Sequence, residues 1–305
     1  MTPLLDQVTT AIGQVLLGKD QQVKLATACI LAKGHLLLED LPGMGKTTLA
    51  QCMARVLGLE FERVQFTSDL LPADILGVAV FDKSSSSFRF HAGPVFTQVL
   101  LADEINRTTP KTQSALLEAM EEGQVTIEGE TRPLPQPFFV IATQNPTTQS
   151  GTYMLPESQL DRFLMRVSLG YPNAESERLL MQGVDPRSRI AEMAPILDTQ
   201  QLAELQQRVL DVKANDRLLD YLQALVAFTR TDSVFTYGIS PRGALAWLRA
   251  AKAWALLAGR EYVIPEDIQV VASAVVGHRV RGGSEQEHGH ASLVQYLLES
   301  VPVVA

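Results

Sequence analysis

Three stretches of this chain place reactive side chains at spacings that chemistry can use. The first is Pro42-Gly43-Met44-Gly45-Lys46-Thr47-Thr48, which follows the apolar triplet Leu36-Leu37-Leu38 and reads as a buried strand, a tight loop and a helix start. Gly43 and Gly45 let backbone N–H groups approach an anion, Lys46 supplies a point charge for β- and γ-phosphates, and the Thr47 hydroxyl can hold Mg²⁺. The pattern is a Walker A loop with one departure: G-x-x-x-x-G-K-[ST] would put glycine at position 40, where this chain has Asp40. The first turn must therefore be built without that glycine, and the Pro42-Gly43 pair offers the means.

The second stretch, Val99-Leu100-Leu101-Ala102-Asp103-Glu104, is an apolar strand ending in two adjacent carboxylates, 57 residues after Lys46. Side chains alternate along a strand, so the two acids point in different directions. In a nucleotide site Asp103 would hold the metal through its water shell and Glu104 would orient or deprotonate the attacking water. A solvated strand end is the plain alternative, and the pairing of this stretch with the phosphate loop weighs against it.

The third set is dispersed. Asn145 ends the strand Phe138-Phe139-Val140-Ile141-Ala142 and reads either as a polar sensor beside a γ-phosphate or as an Asx-turn before Pro146. Arg162 closes a short helix before a fifth strand, a place that suits an arginine finger reaching a neighbouring subunit's nucleotide, although Asp161 or Glu157 could pair with it. Arg242 sits in the first turn of a helix capped by Ser240 and opened by Pro241, where a cation opposes the helix dipole; a phosphate contact explains it better than surface decoration.

The elements that must hold these residues follow from periodicity. Leu4, Leu5, Val8, Ile12 and Val15 mark one helix; Val23, Ala26, Ile30 and Leu31 mark a second, with a stop at Gly34. The join Leu16-Leu17-Gly18-Lys19 reads equally as an interhelical turn or as a contact to a nucleotide base. A helix after the phosphate loop carries Leu49, Met53, Ala54 and Leu57 to Gly58, and a strand spans Phe61 to Phe66. Two alternating runs around Lys83 and four serines predict a hairpin whose tip is either a solvated turn or a partner contact. Thr109 caps a helix opened by Pro110 and stopped by Gly123, and a hairpin turning at Gly129 follows. Beyond Tyr171 no strand pattern appears: Pro172 and Pro195 mark a change of domain, and the remainder reads as helical. His288-Gly289-His290 reads as a solvated loop rather than a metal site.

The 305 residues suit about two domains, and a chain of this size can bury roughly three quarters of its unfolded surface. Thirty-four acids against 26 bases give a net charge of −8 with no basic stripe, so nucleic acid is not the expected partner. Cys29 and Cys52 lack C-x-x-C spacing and read as buried thiols in a reducing compartment. No basic residue opens the chain and no apolar run reaches about 18 residues, so neither a secretory signal nor membrane insertion is expected, and the location expected is cytoplasmic.

With five strand candidates, intervening helices and a helical lid, the chain resembles an AAA+ ATPase, and more closely the MoxR family. The wording that carries the match is Glu39 through Thr47, Leu101-Ala102-Asp103-Glu104-Ile105-Asn106-Arg107, Ala142-Thr143-Gln144-Asn145-Pro146, Leu155 through Phe163, and Gly238-Ile239-Ser240-Pro241-Arg242. The resemblance implies an α/β P-loop core over residues 1–170, with a five-stranded parallel sheet, helices on both faces and hairpin insertions near 77–94 and 124–135. It implies an all-α lid over 171–305. It implies ATP and Mg²⁺ as cofactors, with Lys46, Thr47 and Asp103 binding them, Glu104 activating water, Asn145 as sensor 1, Arg242 as sensor 2 and Arg162 as the finger in trans. It further implies a homo-oligomeric, commonly hexameric ring, acting as a chaperone-like ATPase on a protein client alongside von Willebrand factor A domain proteins. A nucleotide-gated module with little hydrolysis is the alternative.

Overall fold

A computed structural model describes residues 2–84, 86–145, 152–182, 186–283 and 290–303. Met1, Ser85 of the serine run, Pro146, and His288 and Gly289 of the histidine loop lie outside the described residues.

Helices α1 (Thr2–Gly13) and α2 (Asp20–Leu31) precede β1 (His35–Glu39), and α3 (Lys46–Val56) leads to β2 (Phe61–Gln65). A short α4 (Pro72–Leu76) opens an antiparallel hairpin of β3 (Gly77–Asp82) and β4 (Ser87–Ala92). Next come β5 (Val99–Asp103), one 3₁₀ turn (Ile105–Arg107) and α5 (Pro110–Glu122). A second hairpin follows, of β6 (Gln124–Ile127) and β7 (Glu130–Pro133), and then β8 (Phe139–Gln144), α6 (Glu157–Leu160) and β9 (Phe163–Val167). The central sheet is parallel, in the order β2-β5-β8-β1-β9. The order brings the carboxyl ends of β1, β5 and β8 side by side, where ligands of open α/β sheets bind.

Strand alternation divides the interior into two layers. Leu36 and Leu38 of β1 and Ile141 of β8 pack toward α1, α2, α3 and the lid, whereas Leu37, Val140 and Ala142 pack toward α5 and the second hairpin. Continuous apolar runs such as Val99-Leu100-Leu101-Ala102 are what a sheet covered on both faces requires. The strands of this sheet are thereby fixed, and the ends that carry Lys46, Asp103 and Asn145 with them.

The helical region beyond β9 comprises α7 (Ala174–Met181), α8 (Pro186–Glu192), α9 (Thr199–Asp211), α10 (Asp216–Thr231), α11 (Pro241–Leu257), α12 (Pro265–Val276) and α13 (His290–Ser300). It also holds β10 (Phe235–Tyr237) paired antiparallel with β11 (Arg281–Gly282). The expectation that no strand follows Tyr171 is corrected by this ribbon. Its two strands are too short to alternate visibly, and pairing across a long stretch of chain, not local pattern, creates them.

Three local readings also change. Lys33, at φ 52°, is the left-handed residue that ends α2, while Gly34 is glycine because a Cβ there would lie 2.2 Å from the Leu164 side chain. Thr109 holds the N-cap position of α5, but its hydroxyl meets the Thr112 hydroxyl at 3.3 Å and caps no backbone N–H. Strand β8 runs on to Gln144, two residues beyond its expected end, because β1 extends beside it as far as Glu39.

Candidate functional site

Gly43 and Gly45 take φ values of 86° and 92°, the left-handed region that side chains avoid, and this turns the chain from β1 into α3. Lys46, Thr47 and Thr48 form the first turn of α3, so the unpaired N–H groups and the positive end of the helix face the loop's concavity. A cavity of about 420 Å³ opens there. Pro42 through Thr48, the polar residues Asp103, Glu104, Asn145 and Lys19, and the apolar residues Val15, Leu16, Leu17, Pro172 and Leu180 line it.

The chemistry in this cavity is one hydrogen-bonded network. Lys46 Nζ donates to Asn145 Oδ1 at 3.1 Å and to the Asp40 carbonyl, and Asn145 Nδ2 donates to Glu104 Oε1 at 3.1 Å. Burial lowers the Lys46 pKa, with Asp40, Asp103, Glu104 and Glu39 pulling it back up. The Thr143 hydroxyl accepts from the Glu104 N–H at 2.8 Å and donates to Asp103 Oδ1 at 2.6 Å, so one side chain fixes both acids. Glu104 itself sits at φ 58°, an uncommon conformation for a non-glycine residue that turns its carboxylate out of the strand's alternation.

Several contributors were not legible as site residues. Gln65 Nε2 donates to Glu104 Oε2 at 2.9 Å, Arg107 donates to the same oxygen at 3.0 Å, and Arg63 contacts Asp103 Oδ2 at 2.6 Å. Gln65 and Asp103 are cross-strand neighbours in the β2–β5 pairing, so their proximity depends on strand order that no local motif reveals.

Asp40, the departure from the loop consensus, does structural work of its own. Its Oδ1 accepts from the Ser168 hydroxyl at 3.0 Å, and its Oδ2 accepts from the backbone N–H groups of Leu169 and, at 3.2 Å, Gly170. Lys19 Nζ donates to the carbonyls of Gly170 at 2.9 Å and Tyr171 at 2.5 Å. The segment that follows β9 is thereby clamped from both sides, by Asp40 just after β1 and by Lys19 at the α1–α2 join.

The two expected arginines lie elsewhere. Arg162 pairs with Glu121 at 2.8 Å and donates to the Leu117 carbonyl at 2.6 Å, while Arg242 pairs with Glu121 at 2.5 Å. Both line a second cavity of about 240 Å³ and neither lines the first. The partners read for Arg162 from sequence are taken: Asp161 binds Arg279 at 2.7 Å and Glu157 binds Arg281 at 2.8 Å.

The donors in the first cavity suit a magnesium nucleotide. A threonine hydroxyl and carboxylates are hard oxygen ligands, the kind Mg²⁺ takes alongside phosphate oxygens. Among the described residues there is no group of three or more His, Cys, Asp or Glu that could hold a metal, and no helix is long and apolar enough to cross a membrane.

Comparison with known proteins matches residues 35–165 to the ATPase family associated with various cellular activities (AAA) and residues 227–295 to the AAA lid domain. The chain is 46% identical over 278 residues to the uncharacterized protein YeaC of Bacillus subtilis, covering 91% of this chain and 87% of that one. It is 41% identical over 287 residues to Chaperone MoxR1 of Mycobacterium tuberculosis, covering 90% and 75%. It is 31% identical over 316 residues to Protein MoxR of Methylorubrum extorquens, covering 95% and 91%. A crystal structure from Cytophaga hutchinsonii, described as a candidate ATPase, superposes with a TM-score of 0.90 at 36% identity, covering 100% of this chain and 96% of that one.

Proposed function

This chain belongs to the MoxR family of AAA+ ATPases, and we propose that it binds and hydrolyses ATP with Mg²⁺ at the subunit interfaces of a homo-oligomeric ring, hexameric as the resemblance implies, to remodel, assemble or mature a protein complex. The observation that carries this reading is the Asn145 amide bridging Lys46 and Glu104 inside the cavity formed by the phosphate loop.

The proposed division of labour follows from the donors and acceptors present. Backbone N–H groups at the start of α3 and the Lys46 ammonium bind the β- and γ-phosphates, so Lys46 exchanges its carbonyl partners for phosphate oxygens. Thr47 would hold Mg²⁺ directly and Asp103 would hold it through the ion's water shell, and the bound ion would neutralise charge on the phosphates. Glu104 is the base that orients water, and Asn145 is positioned to report the γ-phosphate to it. The apolar lining formed by Leu16, Leu17, Pro172 and Leu180 suits a base, which favours the base-contact reading of the α1–α2 join.

Arg162, which shares Glu121 with Arg242 outside this cavity, suits a face that completes a neighbour's site, and Arg242 keeps the sensor 2 role that the resemblance implies. A guanidinium supplied in trans is worth about 10³- to 10⁵-fold in turnover. For the client, the first hairpin leaves Phe81 50% and Phe88 67% exposed, an apolar surface that fits a protein partner. Partners with von Willebrand factor A domains, and a cytoplasmic location, remain part of the proposal by family resemblance.

Specific ATPase activity against protein concentration tests the reading. Activity should rise with concentration in the wild type and stay low in Arg162→Ala. Flat, Arg162-independent turnover would mean a site complete within one subunit.

A further inference from the structure

We propose that Arg63 is a resident cation of the metal site: it occupies Asp103 when Mg²⁺ is absent and gives up that carboxylate oxygen when the ion arrives. The inference rests on the assignment of Asp103 to the hydrated magnesium ion in the proposed function.

Strand β2 runs parallel to β5 with Arg63 beside Leu101 and Gln65 beside Asp103, so Arg63 reaches along the sheet face to the end of its neighbour. Its Nε and Nη2 both donate to Asp103 Oδ2, at 3.1 and 2.6 Å. The other oxygen, Oδ1, is held by the Thr143 hydroxyl at 2.6 Å. The two oxygens therefore have different jobs. Thr143 belongs to β8, inside the sheet, and fixes where the carboxylate sits, whereas Oδ2 is held by a long, half-exposed side chain.

Burial sets the direction of the exchange. The Asp103 side chain is 10% exposed, and an unscreened carboxylate there would stand close to Glu104; a cation on Oδ2 relieves that cost. The Arg63 side chain is 47% exposed, so it can swing into water with little desolvation penalty, and a pair of this kind contributes little when exposed. An arriving hydrated divalent cation needs the same oxygen as an acceptor for its water shell and repels the guanidinium. Both effects have the same sign: Arg63 raises the Mg²⁺ concentration needed to load the site. Without metal, the same guanidinium keeps Asp103 from repelling phosphates, so it supports nucleotide binding.

A positioning residue for Asp103 would behave in the opposite way, since its removal would loosen the carboxylate and weaken metal binding. The test is a fluorescence titration of full-length wild type, Arg63→Gln and Arg63→Lys with a fluorescent ATP analogue, first in excess EDTA and then with increasing free Mg²⁺. In Arg63→Gln the half-saturating Mg²⁺ should fall about three- to tenfold while metal-free nucleotide affinity also falls. Arg63→Lys, which keeps the charge and loses the fork, should stay within about twofold of wild type. Unchanged or weaker Mg²⁺ loading in Arg63→Gln, loss of nucleotide binding even with Mg²⁺, or Lys behaving like Gln would each overturn the inference. Failure of the wild type to bind nucleotide under either condition would instead remove the functional reading beneath it.

Discussion

Replacing Asp40 by glycine restores the consensus phosphate loop, and the structure says that this should harm the protein. Three hydrogen bonds end on the Asp40 carboxylate, from Ser168, Leu169 and Gly170, and all three tie the segment between β9 and the lid to the loop. Hydrogen bonds to a charged group contribute about 1.5–3 kcal/mol each when well shielded; Asp40 is half-buried and the three share one anchor, so their combined loss should cost about 2–4 kcal/mol. With about 2.1 cal/mol/K of unfolding entropy per residue over 305 residues, this lowers Tm by about 3–6 °C. Asp40→Asn, which keeps one acceptor, should fall between the variant and wild type. Calorimetry gives the Tm, and limited proteolysis reports whether residues 168–171 become the first site of cleavage. Nucleotide affinity should change far less than stability, since no Asp40 side-chain oxygen contacts the loop's N–H groups. An Asp40→Gly protein as stable as wild type with an uncut linker would refute the clamp, as would tighter nucleotide binding with no loss of stability.

The site supports further expectations. Glu104→Gln should bind ATP with near-wild-type affinity and lower turnover by about 10²- to 10⁴-fold, measured by nucleotide binding beside phosphate release. Arg162→Ala should leave nucleotide binding by the dilute chain intact and reduce kcat in the assembled protein by at least about 10³-fold. Acid should destabilise the fold through His35. The Val140 N–H donates to its Nδ1 at 3.0 Å while Nε2 faces the Met120 carbonyl at 3.2 Å, so the ring must be neutral with its proton on Nε2, and burial holds its pKa down at about 4. An unfolded histidine, with a pKa of about 6.5, takes up its proton first; this contribution is therefore complete above about pH 6.5 and is lost as pH falls toward 4, a change of about 2–3 kcal/mol. Tm measured from pH 7 to 4.5 should drop more steeply in wild type than in His35→Asn.

Contiguous motifs were readable because their chemistry is local. The phosphate loop and the paired acids each lie within a few residues, and continuous apolar runs marked the strands that carry them. Asn145 was readable because a strand end carries it to the same edge of the sheet. What escaped depended on which strands became neighbours. Gln65 and Arg63 look like ordinary strand polar residues until β2 is seen beside β5, and nothing near Asp40 shows that its partners lie at 168–170. Arg162 and Arg242 stood out by position, yet their common partner Glu121 on α5 comes from a third element. The three-residue β10 lacks the length for any periodic signal.

The central claim, a nucleotide site completed by a neighbouring subunit, is tested most directly by mixing two inactive variants. Lys46→Ala leaves a subunit unable to bind phosphate but still carrying Arg162, and Arg162→Ala leaves the reverse. In a ring with heterologous interfaces, random assembly of equal amounts gives about one interface in four with an intact phosphate loop facing an intact arginine. The expected result is ATPase activity that appears only on mixing, approaching a quarter of the wild-type value. Mixtures as inactive as either parent, under conditions where gel filtration shows mixed rings, would contradict a site shared between subunits.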